Sequence, residues 1–333
     1  MIANPYIKSM RRRSGGFTLI EAVITIVITG ILSGMVAVFI AGPVKGYIDS
    51  ARRAELTDNA DLVLRRLSRE VRLSLPNSVR VTSSGGFWYI EFIETSGGGR
   101  FRDRYSDQST SAGTNSLNFN DGIDPATGSP TATAPCATTP GNCMFDVVGP
   151  MPINPSIASG DFIVVWNQGQ NVPGVANPPA DAYATGNICS NCNRAQVAAA
   201  PAGQTVTLTP DASGLNVFAH QSVQTRSSSD SSNRFHVVPG GVRAITYACP
   251  TATGTLTRYV NYGFYTTPAL AIAALANPTV MATRASCTVS YDTAQQRNGL
   301  LTVKLTLRDY TNTTNIVQEN VTLLREIHVD NSP

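Results

Sequence analysis

The chain has 333 residues and a nearly balanced charge, with 25 Lys and Arg against 22 Asp and Glu, a formal net charge of +3. Four basic residues and no acidic ones precede residue 17, so a chain that begins there has a net charge of 21 − 22 = −1. Because nucleic-acid binding depends on clustered Lys and Arg, this balance argues against a nucleic-acid partner. Low charge with 27 Gly and 20 Pro is typical of a β-rich extracytoplasmic protein with long loops.

The first predicted element is a membrane-spanning helix over residues 17–44. From Phe17 to Ile40 the only charged residue is Glu21, and a helix of that length reaches roughly 36 Å, enough to cross a hydrocarbon core of about 30 Å. The basic residues that precede it predict that residues 1–16 remain in the cytoplasm. A carboxylate inside a spanning helix is unfavourable, so Glu21 is expected to have a partner of opposite charge.

Cleavage after Gly16 would supply that partner, because it creates an α-amine on Phe17, one helical turn before Glu21. The arrangement resembles the class III signal of type IV pilins and type II secretion pseudopilins. In that family a prepilin peptidase cuts after the glycine and methylates the new N-terminal phenylalanine. The resemblance therefore implies that residues 1–16 are a leader peptide, that Gly16 and Phe17 are processing residues, and that Glu21 acts in assembly. An uncut signal anchor and a secretory signal peptide are the alternatives, although the apolar run exceeds the roughly 7–15 residues of a secretory signal.

A second helical segment, residues 45–75, continues the stem. Its apolar residues recur every three or four positions, which predicts a stripe that packs on a globular head. The charged residues between them, Glu70 included, are predicted to face solvent, with contact to neighbouring subunits as the alternative. Gly42 and Pro43 lie between the two halves and predict a helix kink, and Pro76 predicts the end of the helix.

Residues 76–333 are predicted to form a β-rich periplasmic head. Apolar or alternating runs bounded by Gly, Pro and Asn predict its strands. These are Phe87–Ile93, Phe162–Trp166, Val206–Leu208, Arg243–Cys249, Arg258–Tyr265, Cys287–Tyr291, Leu300–Leu307 and Ile316–His328. Stretches at about 110–142 and 168–202 are predicted to be long loops, mobile segments or unrecognised strands, and their few aromatic residues argue against a hidden core. Together these elements predict an α+β, type IV pilin-like fold, with a long N-terminal membrane helix packed on a large antiparallel β-rich head.

Six cysteines fit a head that folds in an oxidising compartment. Proximity suggests the disulfides Cys136–Cys143, Cys189–Cys192 and Cys249–Cys287, and the sequence leaves other connectivities open. The pair Cys189–Cys192 also has the spacing of a redox motif or of half a zinc site. It lies in polar loop sequence, however, and no histidine has ligand-like spacing, so structural disulfides are the prediction.

The sequence predicts no catalytic residue, no cofactor and no metal site. It lacks a nucleophile elbow, a phosphate-binding loop, a dinucleotide-binding fingerprint and a zinc-hydrolase motif. Residues 120–124 supply two carboxylates and an amide, as part of a calcium loop would. The bidentate acid that should end such a loop does not follow, so a plain turn is the prediction.

Four segments, 46–58, 64–67, 75–81 and 323–333, resemble minor pilins of the mannose-sensitive haemagglutinin (MSHA) pilus, which are related to the J pseudopilin of type II secretion. The resemblance implies a minor pilin that helps to prime type IV pilus assembly and lies at the fibre tip. The implied partners are other minor and major pilins, prepilin peptidase, the inner-membrane assembly platform and membrane lipid.

The implied location is the inner membrane, crossed once with a periplasmic head, and then the pilus at the cell surface. A tip adhesin whose head loops bind a glycan or surface, and a J-type pseudopilin of a secretion system, are the alternative functions.

Overall fold

A computed structural model gives the architecture of the chain. The structure describes residues 16–101, 115, 117, 136–137, 140–169, 181–184, 193–220, 233–268, 275, 277–295, 298–310 and 317–331. The chain divides into two compact units, Met1–Ala54 and Glu55–Pro333, and each is described by itself.

A single helix, α1 (Leu19–Arg72), accounts for the predicted stem. It is long and apolar enough to cross a membrane, judged by length and composition alone. Helical structure continues through Gly42 and Pro43, and a kink there stays a prediction. The amphipathic segment predicted to run to Leu75 ends at Arg72 instead. Leu75 lies outside the helix, and its N–H donates to the carbonyl of Ile93 at 2.7 Å instead of to a helical carbonyl.

Two short 3-10 helices, Pro140–Cys143 and Val217–His220, and thirteen strands follow α1 in the described part of the chain. The strands are β1 (Arg80–Ser84), β2 (Phe87–Ile93), β3 (Gly97–Phe101), β4 (Met144–Val148), β5 (Phe162–Val164), β6 (Arg194–Ala202), β7 (Thr205–Leu208), β8 (Arg234–Val238), β9 (Ala244–Pro250), β10 (Gly254–Val260), β11 (Thr279–Gln295), β12 (Asn298–Tyr310) and β13 (Val317–Asp330). The pairings between these strands are antiparallel. The architecture is therefore type IV pilin-like α+β, with a long apolar N-terminal helix and a large antiparallel β-rich head.

The first group of strands is a seven-stranded sheet in the order β1-β2-β9-β10-β11-β12-β13. The C-terminal end of α1 packs on this sheet through the predicted apolar stripe. The stripe residues Ala60, Val63, Leu64, Leu67 and Val71 are each at most 3% exposed. They share one core with apolar residues of β2, β9, β11, β12 and β13. Full burial of each large side chain contributes about 1.5–3 kcal/mol, so this stripe is a major reason why the end of α1 belongs to the head.

The second group is a closed six-stranded barrel in the order β3-β4-β7-β6-β5-β8. It has its own core, in which Phe145 and Phe235 meet edge to face with ring centroids 5.4 Å apart. The whole barrel lies between β2 and β9 in sequence, although those two strands pair directly, with Ile93 opposite Ala244. The barrel is thus an insertion into a sheet that is continuous without it.

A third core, here called the seam, joins barrel and sheet. From the barrel it receives Phe162, Val164 and Val238, and from the sheet side Tyr89 and Ile93 among others. Because these side chains are at most 4% exposed, the barrel covers an apolar face of the sheet that would otherwise meet water.

Several predicted strands are confirmed and others are wrong in part. Phe87–Ile93 is β2 as predicted, and the C-terminal hairpin is β12 and β13 with slightly wider bounds. The strand predicted over Arg258–Tyr265 ends at Val260, because Asn261 and Gly263 take left-handed backbone conformations with φ of 57° and 98°. Its apolar tail, residues 262–264, is buried in the seam instead.

The C-terminal end of the stretch at 168–202 is an unrecognised strand, one of the alternatives that the sequence left open for it. Residues 194–202 form β6, and Ala195 and Val197 are buried in the barrel core. The loop predicted over 110–142 lies largely outside the described residues, yet Leu117 is 1% exposed and belongs to the same core. Few aromatic residues did not mean that these stretches lie outside a core, because they contribute Leu117, Ala195 and Val197 to the barrel core.

Two of the suggested disulfides are present. Cys136–Cys143 and Cys249–Cys287 are bonded, with Cα atoms 5.6 and 5.8 Å apart. Cys189 and Cys192 lie outside the described residues. The second bond links β9 to β11 within the core beneath α1, so it crosslinks the sheet near the start of the short strand β10.

Candidate processing and assembly site

The N-terminal motif lies at the start of α1. Gly16, Phe17 and Thr18 precede the helix, which begins at Leu19. A Cβ atom added to Gly16 would have no other atom within 4 Å. Contacts within the described chain therefore do not explain a glycine there. The predicted cleavage point is in exposed backbone just outside the helix.

Thr18 fixes where the helix begins. The backbone N–H of Glu21 donates to Thr18 Oγ1 at 3.3 Å and to the Thr18 carbonyl at 3.1 Å. A Thr followed three residues later by Glu is the pattern of a capping box, in which the first side chain satisfies an N–H that the first helical turn leaves without a partner. Thr18 is thus the N-cap, a role that the sequence prediction missed although the spacing of the two residues indicates it.

Glu21 lies in the first turn of α1 and is exposed. A carboxylate at this end of a helix interacts favourably with the positive end of the helix dipole. The large apolar side chains from Phe17 to Ile40 are 48–83% exposed. Such a surface is stable only when lipid or other apolar segments cover it, and Glu21 is its one charged group.

The comparison with known families matches this part of the chain. The prokaryotic N-terminal methylation motif matches residues 11–37. This stretch contains Gly16, Phe17 and Glu21 and most of the apolar segment. The chain carries a pilin-type methylation motif. The motif supports a pilin or pseudopilin role, with membrane anchoring and assembly with other pilins. No curated protein and no solved structure matched the chain.

A buried ion cluster holds the C-terminal end of α1 on the sheet. Glu70 is 7% exposed, and its carboxylate accepts hydrogen bonds from Tyr247 Oη at 2.8 Å, Arg258 Nε at 2.9 Å and Arg66 Nε at 3.0 Å. Burial, reinforced by the Glu70 charge, raises the pKa of Tyr247 above its usual value, which keeps this hydroxyl protonated and able to donate. We call these four residues the Glu70 cluster.

The prediction that Glu70 faces solvent is therefore wrong. The residue lies three positions after Leu67 and one before Val71, both of which are buried, so the helical spacing already placed it at the edge of the apolar stripe. Its charge led to the solvent assignment. The partners that make its burial possible come from β9 and β10, far along the chain.

A buried arginine anchors residues 181–184 against the barrel. Arg194, in β6, is 0% exposed and donates to the carbonyl oxygens of Ala182 and Ala184, the latter at 3.1 Å. Its guanidinium also lies 3.7 Å from the ring centroid of Phe264. Burial lowers the pKa of Arg194 to about 9, while the nearby charge of Asp181 acts in the opposite direction. The group thus remains a cation at neutral pH, and the sequence prediction, which placed it in a loop, missed it.

Within the described part of the chain, no group of three or more His, Cys, Asp or Glu residues could hold a metal ion. Residues 120–124, with the look of part of a calcium loop, lie outside that part, as do Cys189 and Cys192. The expectation of no enzymatic activity stays a prediction.

Proposed function

We propose that this protein is a minor pilin that helps to prime assembly of a type IV pilus of the MSHA kind and lies at its tip. The observation that carries the proposal is the methylation motif over residues 11–37 at the start of a long apolar helix that leads to a large, two-lobed head. The resemblance of segments 46–58, 64–67, 75–81 and 323–333 to the minor pilin MshO supports the finer assignment. A head that carries a whole barrel beyond the pilin-like sheet favours a specialised subunit over the bulk subunit of a fibre.

The proposed mechanism begins with processing by prepilin peptidase. Cleavage after Gly16 leaves an α-amine on Phe17, and Glu21 of one subunit meets the Phe17 amine of a neighbour when the assembly platform extracts the helix from lipid. The exposed apolar side chains of α1 pass from lipid to the neighbouring stems. A pair of opposite charges makes this transfer feasible, because an isolated buried charge is strongly unfavourable.

Replacement of Glu21 tests the assembly role. Glu21→Ala should still be cleaved and membrane-inserted but should be lost from sheared pili, since breaking a buried pair typically costs about 3–5 kcal/mol. Glu55→Ala is the matched control, because Glu55 is an exposed carboxylate on the same helix beyond the apolar segment. Immunoblots of membrane and pilus fractions measure both variants. Normal incorporation of Glu21→Ala into pili would contradict the proposed role.

The inserted barrel favours one second candidate, a tip adhesin that binds a glycan or a surface through the barrel and its loops. This function predicts that changes confined to the barrel surface abolish attachment and leave pilus number unchanged. A J-type pseudopilin is the remaining alternative. It predicts that loss of the protein blocks secretion of exported proteins while pili remain.

A further inference from the structure

The barrel is an insertion, so something beyond the covalent chain must fix its position. The chain enters it through residues 94–96 and leaves it through 239–243, between strands β2 and β9 that pair with each other. The seam supplies apolar attraction between barrel and sheet. Apolar contact is not directional, whereas hydrogen bonds between buried groups have defined geometry.

Three asparagines, of which Asn167 and Asn331 are buried and Asn77 is half-buried, supply that geometry around the turn that follows α1. Asn167, 1% exposed and just after β5, donates from Nδ2 to the carbonyl of Pro76 at 2.7 Å. The backbone carbonyl of Asn167 accepts a hydrogen bond from Asn77 Nδ2 at 2.8 Å. Asn77 Nδ2 also donates to the carbonyl of Asn331 at 3.0 Å, and its N–H donates to Asn331 Oδ1 at 3.2 Å. We call Asn77, Asn167 and Asn331 the asparagine clamp.

The clamp joins three distant parts of the head. Asn77 belongs to the turn after α1 and Asn167 to the barrel, and Asn331 is the first residue after β13. A further hydrogen bond outside the clamp joins residues 181–184 to the same turn, because Tyr183 Oη donates to the carbonyl of Ser78 at 2.8 Å. Asn167 Oδ1 in turn accepts the N–H of Ala182 at 2.9 Å and Asn193 Nδ2 at 3.2 Å. Every polar group of the Asn167 side chain is thus used to connect chain segments.

The backbone at the clamp leaves no room for adjustment. Asn77 has a left-handed φ of 59°, a conformation that asparagine tolerates better than most residues. Gly169 also has a positive φ, 78°, and a Cβ atom there would lie 3.1 Å from the carbonyl oxygen of Asn77. Any other residue at 169 would strain this backbone conformation and push the barrel segment away from the turn by a few tenths of an ångström.

We propose that the asparagine clamp locks the inserted barrel to the turn after α1, so that barrel and sheet unfold as one unit and a force on the barrel passes to the end of the helix. Without the clamp, the carbonyl of Pro76 and the N–H of Ala182 would lose buried partners, which is unfavourable for each group. The seam alone would then hold the barrel. The inference concerns the head only and does not depend on the proposed role in pili.

The two tryptophans of the chain make the test direct. Trp88 lies in β2 of the sheet, and Trp166 lies beside Asn167 and packs on the barrel core. A Trp88→Phe chain therefore reports melting of the barrel by fluorescence, and a Trp166→Phe chain reports melting of the sheet. The full chain in detergent micelles is heated in both backgrounds, because coincident transitions from different probes indicate a single cooperative unit.

With the clamp intact, the two transitions should coincide. Asn167→Ala should move the Trp166 transition below the Trp88 transition by about 5 °C or more. Asn331→Ala removes the side-chain acceptor of the Asn77 N–H and keeps the bond to the backbone carbonyl of residue 331. It leaves the contacts of Asn167 intact, so it is the matched control and should lower both transitions together. Gly169→Ala is a milder second variant, since it pushes the two segments apart without removing a polar group. Separate transitions with the clamp intact, or coincident transitions in both Asn167→Ala and Gly169→Ala, would overturn the inference.

Discussion

Replacement of Glu70 by alanine should loosen the end of α1 from the sheet. The change leaves the guanidinium of Arg258, whose side chain is 11% exposed, without its buried counter-ion, and leaves the hydroxyl of Tyr247 without its acceptor. Loss of one partner of a buried ion pair typically destabilises a protein by about 3–5 kcal/mol. At about 2–4 °C per kcal/mol for a domain of this class, the melting temperature should fall by roughly 6–20 °C.

The matched control lies on the same helix. Asp61 forms an ion pair with Arg65, but their side chains are 36% and 71% exposed. Exposed pairs of this kind contribute only about 0–1 kcal/mol, so Asp61→Ala should change the melting temperature little. Calorimetry of the two full-length variants in the same detergent measures the difference.

A second change separates the charge from the packing. The triple substitution Glu70→Met, Tyr247→Phe and Arg258→Met removes the three buried polar groups of the cluster. The fourth member, Arg66, is kept because its side chain is half-exposed. Apolar replacement of a whole buried ion cluster is often neutral, so the triple variant should melt well above Glu70→Ala. If Glu70→Ala melted within 2 °C of Asp61→Ala, or the triple variant melted below Glu70→Ala, the reasoning about buried charge would be refuted.

Two further predictions concern the N-cap and the pH dependence of the head. Thr18→Val removes the hydroxyl that accepts the Glu21 N–H and should speed amide hydrogen exchange in the first turn of α1 by about fivefold, the equivalent of roughly 1 kcal/mol of capping. Thr25→Val, whose hydroxyl bonds within the helix to the carbonyl of Ala22, should not, and equal exchange in the two variants would contradict the capping role. Burial, with a smaller contribution from the charge of Arg234, lowers the pKa of His236 below its usual 6.5, so the unfolded chain binds more protons and stability falls as the pH drops through 6.5. His236→Gln should flatten this slope in denaturant titrations between about pH 7 and 5, and an unchanged slope would argue against a half-buried neutral imidazole.

The elements that could be predicted from the sequence are those whose signal is local. The apolar run of α1, the stripe that ends near Val71 and the aromatic-rich strand β2 each follow from a period or a composition that lies within one segment. The N-terminal motif is local in the same sense, because Gly16, Phe17 and Glu21 are adjacent in the chain.

The barrel could not be predicted in this way, because its strands are short and its core is made by distant pairing. β3 is rich in glycine and β6 in alanine, compositions that are typical of turns or helices. They become strands because closure into a barrel pairs them on both sides. The asparagine clamp has the same character, since Asn77, Asn167 and Asn331 acquire a role only when three distant segments meet.

The central claim, a chain processed and assembled as a pilin, is tested most directly by the mass of its mature N-terminus. The full-length gene is expressed with and without prepilin peptidase, and the N-terminal peptide is fragmented by mass spectrometry. The account predicts that, with the peptidase present, the chain begins at an N-methylated Phe17, and that without the peptidase residues 1–16 are retained. A chain that begins at Met1 in both cases, or is cut elsewhere, would contradict it.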